Sequence, residues 1–293
     1  MHKPVLLNEV IEYLNPQPHE NFIDCTIGEA GHSLKILEKT KPDGKILGID
    51  VDAESLKRIN SAERLILIRG NFKNLKQIAE DNNFNRVNGV LFDLGLSSWQ
   101  LDESGKGFSY KKDEPLTMIF NSGQVVTAEE IINTWPEEEL INIFKKYGEE
   151  RFARKIVQKI IQHRRLNPIK TTLQLFEIIK KSIFFSRSGH SRADRVAARI
   201  FQALRIVVND EMENLKHGLE QAFQILNKKG RVVVISFHSL EDRVVKWFFK
   251  DLEKQGKIKI LTKKPITAGK AEIIANSRSR SAKLRAAMYI GEI

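Results

Sequence analysis

The sequence predicts a doubly wound α/β fold interrupted by an all-helical insert. Three observations predict it. Short, nearly continuous apolar runs alternate with helical patterns over residues 22–95, and the same alternation resumes after residue 205. Such runs belong to parallel strands buried on both faces. Between the two alternating segments the pattern is helical throughout. That middle segment also carries the charge: residues 145–205 hold 16 Lys/Arg against 4 Asp/Glu, whereas the whole chain of 293 residues nets only +11. A neutral body with one strongly basic helical segment points to a polyanionic partner.

Each element follows from its pattern. FIDCTI (22–27), KILGID (45–50), LILIRG (65–70) and VNGVLFDLG (87–95) read as buried strands. Residues 32–39, 53–60 and 74–81 read as the helices between them, and right-handed crossovers make the sheet doubly wound. Residues 98–125 read as an irregular stretch too long for a passive connection. From 127 to 205 the periodicity is helical, with Thr127 and Thr171 suited to cap helices and Pro136 to open one. Residues 209–226 then read as a helix, 230–237 as a strand and 241–254 as a helix. Residues 257–261 and 286–291 read as a closing pair of strands. The expected organisation is one discontinuous α/β domain, 1–97 with 206–293, interrupted by an insert at 98–205.

Composition excludes several classes. At 41% hydrophobic and 29% charged the chain is an ordinary globular one. No apolar run reaches the length of a transmembrane helix, and the N-terminal apolar stretch is too short for a secretory signal. The single cysteine, Cys25, allows neither an internal disulfide nor a Cys-rich zinc site. A reduced, cytoplasmic protein that does not engage a membrane is expected.

Ligands of open α/β sheets bind beyond the carboxyl ends of the strands. Four features fall there: the small-residue turn DCTIGEAGHS (24–33), Asp50, Phe72 and Asp93. A carboxylate at Asp50, 22 residues after Gly28, suits the hydroxyls of a ribose. A dinucleotide fingerprint would need glycines at 28, 30 and 33, where Gly28, Ala30 and Ser33 stand, and there is no P-loop. S-adenosylmethionine, which has a ribose and an adenine but no phosphate, fits this pattern better. Plainer readings stay open beside it: Phe72 as a core residue, and Asp50 as the cap of the helix near Ala53.

The strings HKPVLLNEV (2–10), DCTIGEAGHS (24–33), GIDVD (48–52), DLGLSSWQLD (93–102), YGEERFARKI (147–156), FQALRIVVNDEMENL (201–215), ISFHSLEDRVVK (235–246) and NSRSRSAKLRAA (276–287) carry a resemblance over nearly the whole chain. The sequence resembles the bacterial RsmH (MraW) family, which methylates N4 of a cytidine in the decoding region of small-subunit (16S) ribosomal RNA. The resemblance implies a class I (Rossmann-like), S-adenosylmethionine-dependent methyltransferase fold with a helical insert. It implies cofactor contacts at Ala30, Gly31, His32, Asp50, Phe72, Asp93 and Gln100. It also implies a substrate in 16S rRNA, within the small ribosomal subunit. Several positions depart from the family pattern: Ala30 replaces a more usual glycine, a small change in volume, and Trp99 a proline. Lys106 replaces an arginine, and Pro115–Phe120 reads PLTMIF in place of PLDMRM, so that Thr117 and Ile119 stand for an Asp and an Arg.

The chemistry of the reaction assigns roles. A cytosine amine is a weak nucleophile, and an acceptor on its N–H groups would localise its lone pair. Asp93 is the expected catalytic acceptor, and His238, following a strand, could reach the same cleft. The alternative for His238 is structural, because Ser239–Asp242 reads as a capping box. Asn209 and Asp210 read as helix N-caps, and no catalytic metal is expected. A paired base must be exposed before its amine can react. RNA phosphates are expected on Arg154, Arg164, Arg165, Arg195 and Arg199 of the insert, whose basic face also includes Arg151, Arg187 and Arg192. The C-terminal segment adds Arg278 and Arg280, with Lys283 and Arg285 beside them. Other readings fit less well. A DNA amino-methyltransferase would carry D/N/S-P-P-Y/F where DLGL stands, and a small-molecule enzyme has no use for the basic insert. A non-catalytic RNA-binding protein would bind the cofactor without turnover.

Overall fold

The computed structural model describes residues 4–291 except 61, 122, 124 and 184–188. It divides into two compact units, one made of the residues up to Gly95 and from Met212 onward, the other of Leu96–Glu211.

The first unit opens with α1 (Leu7–Leu14), which was not expected from the sequence. There follow β1 (Phe22–Asp24), α2 (Gly31–Lys39), β2 (Ile46–Asp50), α3 (Ala53–Lys57), β3 (Leu65–Arg69), α4 (Leu75–Asp81) and β4 (Val87–Asp93). The second unit holds α5 (Ser98–Asp102), α6 (Ala128–Thr134), α7 (Glu137–Lys146), α8 (Ala153–Arg164), α9 (Thr172–Ile183) and α10 (Gly189–Asn209). The chain then returns to the first unit through α11 (Glu211–Gln224), β5 (Leu226–Ser236), α12 (Ser239–Lys254), β6 (Ile258–Ile260), α13 (Lys270–Ala275) and β7 (Lys283–Tyr289).

The seven strands form one sheet in the order β3-β2-β1-β4-β5-β7-β6, with β7 antiparallel to both of its neighbours and all other pairs parallel. Strand order reverses between β1 and β4, and ligands of open α/β sheets bind beyond the carboxyl ends of strands at such a point. The strands read as continuous apolar runs because both faces are covered. Along β4, Val90 and Phe92 enter one core with α4, α11 and α12, while Leu91 enters the other with α1 and α2. Cys25, just beyond β1, is buried in the first of these cores, and burial pushes its thiol pKa up.

The second unit has its own core, built from Ile131, Leu140, Phe144, Ile156, Ile160, Ile179, Ile200 and Leu204 of α6–α10. Thr127 caps α6 by accepting from the Glu130 N–H, and Thr171 Oγ1 accepts from Gln174 N at 3.4 Å. Pro136 is the residue immediately preceding α7. The stretch 98–125 is less irregular than its composition implies. Ser97 and Gln100 form a reciprocal capping box that opens α5, a pairing hidden by the surrounding Ser and Gly residues.

Three expectations need correction. Asn209 is not an N-cap but the last residue of α10. Its side-chain amide donates to Met118 O and Arg205 O and accepts from Phe120 N, clamping the 118–120 loop. The cap of α12 is His238 and not Ser239. Its Nδ1 accepts from Glu241 N, and Glu241 Oε2 accepts in return from His238 N. Asp242 cannot close the box expected from Ser239, because its carboxylate is held by Arg285 of β7. Arg285 Nε lies 2.6 Å from Oδ1 and its second nitrogen 3.3 Å from Oδ2. Arg285 is therefore a buried structural residue and not one of a set of phosphate contacts. Lys283 Nζ lies 3.7 Å from the same carboxylate.

The turn after β1 is strained where the sequence departs from the family. Ala30, the residue before α2, is fully buried at φ 61°, a left-handed conformation that costs an L-residue with a Cβ about 1–2 kcal/mol. The departure is small in volume but lies at a position that glycine suits. Two stability measurements follow. Ala30→Gly relieves this strain against glycine's larger unfolded-state entropy, and the urea midpoint should rise by the equivalent of roughly 0.5 kcal/mol. Arg285→Leu leaves a buried carboxylate without its main partner and should lower stability by about 3 kcal/mol, with the double variant Arg285→Leu/Asp242→Leu regaining part of the loss.

Candidate active site

The first unit brings three carboxylates to the carboxyl end of its sheet: Asp24 ends β1, Asp50 ends β2 and Asp93 ends β4. Each is held differently. Asp24 is buried. Its Oδ2 accepts from the Ser33 hydroxyl at 2.7 Å and its Oδ1 from Thr26 N at 3.1 Å. Burial raises its pKa, and these hydrogen bonds only partly offset the rise. The Thr26 hydroxyl accepts from Asp93 N at 2.6 Å and so ties the end of β4 to the turn after β1.

Asp50 joins its own strand end to that turn. Its Oδ2 accepts from Gly28 N at 3.2 Å and its Oδ1 from Asp52 N at 2.9 Å. The helix cap is Asp52, which accepts from Glu54 N, so Asp50 is not the cap that its position allowed. Desolvation pushes the Asp50 pKa up to about 6 against the pull of the two N–H donors. Gly28 sits at φ 49°, and a Cβ added there would meet nothing closer than Thr26 O at 3.8 Å. Glycine is required here by the backbone angle and not by crowding, and the space beside the turn is open. Gly31 is the opposite case: a Cβ there would lie 2.5 Å from Pro4 Cγ.

Asp93 Oδ2 lies 3.5 Å from His32 Nε2, while Asp93 Oδ1 is buried without a hydrogen-bond partner, as are both ring nitrogens of His32. Burial acts to lower the His32 pKa, but the carboxylates of Asp93, Asp24 and Glu272 outweigh it and raise the pKa overall. Glu272 in α13 also accepts from Leu6 N at 2.8 Å, which ties the N-terminal segment to this region. The sequence pointed to Asp24, Thr26 and Ser33 only as part of the 24–33 turn, and to Glu272 not at all. A spacing of nine residues between Asp24 and Ser33, spanning the glycine turn, was the available signal for that pair.

Phe72 is only partly buried. It packs edge-to-face on Phe92 with centroids 5.6 Å apart, and a Cβ on Gly218 would meet its ring at 2.7 Å. It therefore belongs to the edge of the core while keeping exposed surface. Ala30, Gly31, His32, Asp50, Phe72 and Asp93 all lie in the first unit. Gln100 lies in the second, where it is buried and its amide oxygen accepts from Ser97 N.

His238 uses its Nδ1 as the helix cap, and its Nε2 lies 3.2 Å from Glu241 Oε1. Nδ1 is thus committed to the cap, while the buried Nε2 makes no hydrogen bond.

In the second unit, Arg154, Arg165 and Arg195 are exposed, with Arg154 3.9 Å from Glu138. Arg164 donates to the carbonyls of Ile132 and Trp135 at the end of α6, at 2.7 and 2.8 Å. Arg199 lies 3.0 Å from the fully buried Glu150 carboxylate. Arg151 and Arg192 each stack 4.8 Å from the centroid of Phe152. Arg187 lies outside the described residues. In the first unit, Arg280 is exposed and Arg278 half-buried on the 3₁₀ turn Ser277–Ser281.

Among the described residues, no helix is long and apolar enough to cross a membrane. The sequence matches the MraW methylase family over residues 1–290. It is 46% identical to the ribosomal RNA small subunit methyltransferase H of Clostridium botulinum (strain Loch Maree / Type A3), over 97% of both chains. It is 43% identical to the protein of the same name from Halothermothrix orenii, over 98% of this chain and 97% of the relative. An rRNA methylase structure from Streptococcus thermophilus aligns with 99% of each chain at 11% identity and a TM-score of 0.43. With the family match spanning essentially the whole sequence and relatives this similar along their full length, the chain belongs to the MraW methylase family.

Proposed function

We propose that this protein transfers a methyl group from S-adenosylmethionine to the N4 amine of a cytidine in the decoding region of small-subunit (16S) ribosomal RNA. The observation that carries the reading is the pair of carboxylates flanking the switch point. Asp50 is tied to the glycine turn, and Asp93 keeps one buried oxygen without a partner. A buried acceptor with no partner is costly unless a ligand supplies a donor.

The residues fit the cofactor. Each Asp50 oxygen spends one lone pair on a backbone N–H, which leaves acceptor capacity for ribose hydroxyls. The open space beside Gly28 lets a ligand approach the backbone, and the exposed surface of Phe72 offers an aromatic contact for adenine. When bound, the cofactor supplies an electrophilic methyl on a sulfonium. Ala30, Gly31 and His32 shape the turn, and the family resemblance adds Gln100 to the cofactor contacts.

Asp93 is the proposed catalytic residue. Its free oxygen would accept from the cytosine amine, localising the nitrogen lone pair and aligning it for in-line attack. His32 Nε2 lies 3.5 Å from the second Asp93 oxygen, close enough to favour its ionised form. His238 is assigned a supporting role through its cap on α12. The exposed Arg154, Arg165, Arg195 and Arg280 hold RNA phosphates, with Arg278 beside them. Arg164 and Arg199 shape that surface through their contacts with α6 and Glu150. The parent small subunit is the proposed substrate and the cytoplasm the proposed location.

The deciding experiment is methyl transfer from labelled S-adenosylmethionine to small ribosomal subunits lacking the modification, followed by nucleoside mass spectrometry. N4-methylcytidine at one decoding-region site is expected, and Asp93→Ala should abolish it. Cofactor binding without any transfer would overturn the catalytic reading. A pH series tests Asp50. Its carboxylate becomes protonated as pH falls through about 6, and ribose hydroxyls bind the ionised form better. Cofactor affinity should therefore weaken by up to about tenfold per pH unit below that point. Asp50→Asn should bind weakly at every pH and lose this dependence.

A further inference from the structure

Helix α12 has two unlike faces. Val245 and Phe249 are buried, and Val244, Phe248 and Leu252 pack against the same core. Arg243, Trp247, Lys250 and Lys254 recur at i, i+4, i+7 and i+11, which places them on one stripe of the opposite side. All four are exposed, and Trp247 shows 57% of its surface to solvent. The Lys246 and Lys250 ammonium groups lie 5.3 and 5.0 Å from the Trp247 ring centroid. The helix's later acidic residues serve local contacts: Asp251 accepts from the Gln255 side chain and Glu253 from Ile260 N.

Folding does not require this arrangement. The core is closed by the other face, and Trp, with an apolar body and a polar N–H, is a residue type enriched at interfaces. An aromatic ring with two ammonium groups beside it and two further cations along the same stripe matches a particular chemistry: a flat surface on which a base stacks, with cations spaced along it for the phosphates on either side. The reaction proposed above demands an RNA with bases unpaired near the target, and the basic insert belongs to the other unit.

We propose that the outer face of α12 is a second RNA-binding surface, on which Trp247 stacks an unpaired base while Arg243, Lys246, Lys250 and Lys254 hold the flanking phosphates. This rests on the reading of the substrate as ribosomal RNA. The surface belongs to the unit that carries Asp50 and Asp93, so that unit engages the RNA directly and does not depend on the insert alone.

The test uses the full chain with two variants, Trp247→Ala and Lys246→Glu/Lys250→Glu. Two probes are used, small subunits lacking the modification and a short, unpaired polyuridylate. Trp247→Ala should raise the Kd for polyuridylate and the KM for subunits by about tenfold. Its kcat at saturating subunit and its affinity for S-adenosylmethionine should stay unchanged. The charge reversal should lower the slope of log Kd against log salt by about two. Unchanged Kd and salt slope in both variants would overturn the proposal. So would binding to phosphatidylglycerol vesicles that Trp247→Ala abolishes while RNA binding persists. If the unaltered protein methylates no subunit RNA, the function proposed above fails, and the polyuridylate measurements still decide whether this face binds RNA.

Discussion

Three carboxylates delivered to one end of a parallel sheet form the constraint on which the rest of the site depends. A parallel sheet places every strand's carboxyl terminus along one edge, so Asp24, Asp50 and Asp93 necessarily share a region. Like charges gathered there raise one another's pKa, and burial adds to the effect. The sequence resolves the conflict three ways. Asp24 is given a hydroxyl donor in Ser33, Asp50 is given two backbone N–H groups, and Asp93 faces an imidazole. The turn from Cys25 to Ala30 is shaped by these bonds, which explains its left-handed residues at 28 and 30. What remains unsatisfied in this region is one oxygen of Asp93 and the nitrogens of His32.

Much of this was legible in the sequence, for physical reasons that differ by element. β2 and β4 stood out because strands covered on both faces carry few polar residues to break the run, and the half-buried edge strand β3 stood out through Leu65–Ile68, all apolar. The strand-end carboxylates were legible because topology fixes their place. α1 was not, although Leu7, Val10, Ile11 and Leu14 have helical spacing: it is only eight residues long and has no Ser, Thr, Asp or Asn cap to mark its start. Caps were the weakest part. His238 performs a task usually given to a hydroxyl or carboxylate, so the box was placed one residue too late. Asp50 and Asp52 both accept backbone N–H groups at the start of α3, and only geometry separates the cap from the anchor of the glycine turn. Arg285 looked like one cation in a basic run. Its neighbours on the sheet made it buried, and that fact lives in strand pairing rather than in local sequence.

The departures from the family pattern also have a structural logic. Lys106 stands 6.0 Å from the ring of Trp99, so two unusual residues meet each other. The Thr117 hydroxyl donates to Lys106 O, and Met118 N donates to the same carbonyl. Ile119 and Phe120 pack against the core of the second unit. Asn209 then fastens the 118–120 backbone from the end of α10. The loop is thus held by backbone hydrogen bonds and apolar packing, where the family pattern would place an Asp and an Arg. A segment secured in this way keeps a defined shape with fewer charges on it.

The sheet's topology also sets a problem of timing. β4 pairs on one side with β1, made shortly before it, and on the other with β5, which begins at Leu226. On a ribosome adding about 5–20 residues per second, the outer edge of β4 waits for its partner on the order of ten seconds. During that interval the nascent sheet presents a long, apolar, unpaired strand, the kind of edge that recruits stray chains. The intervening helices have a hydrophobic core of their own and can condense while the edge waits. By condensing, they shorten the flexible span that must close before β5 docks, and loop-closure entropy falls with it. The insertion would then serve as a brace during the protein's synthesis.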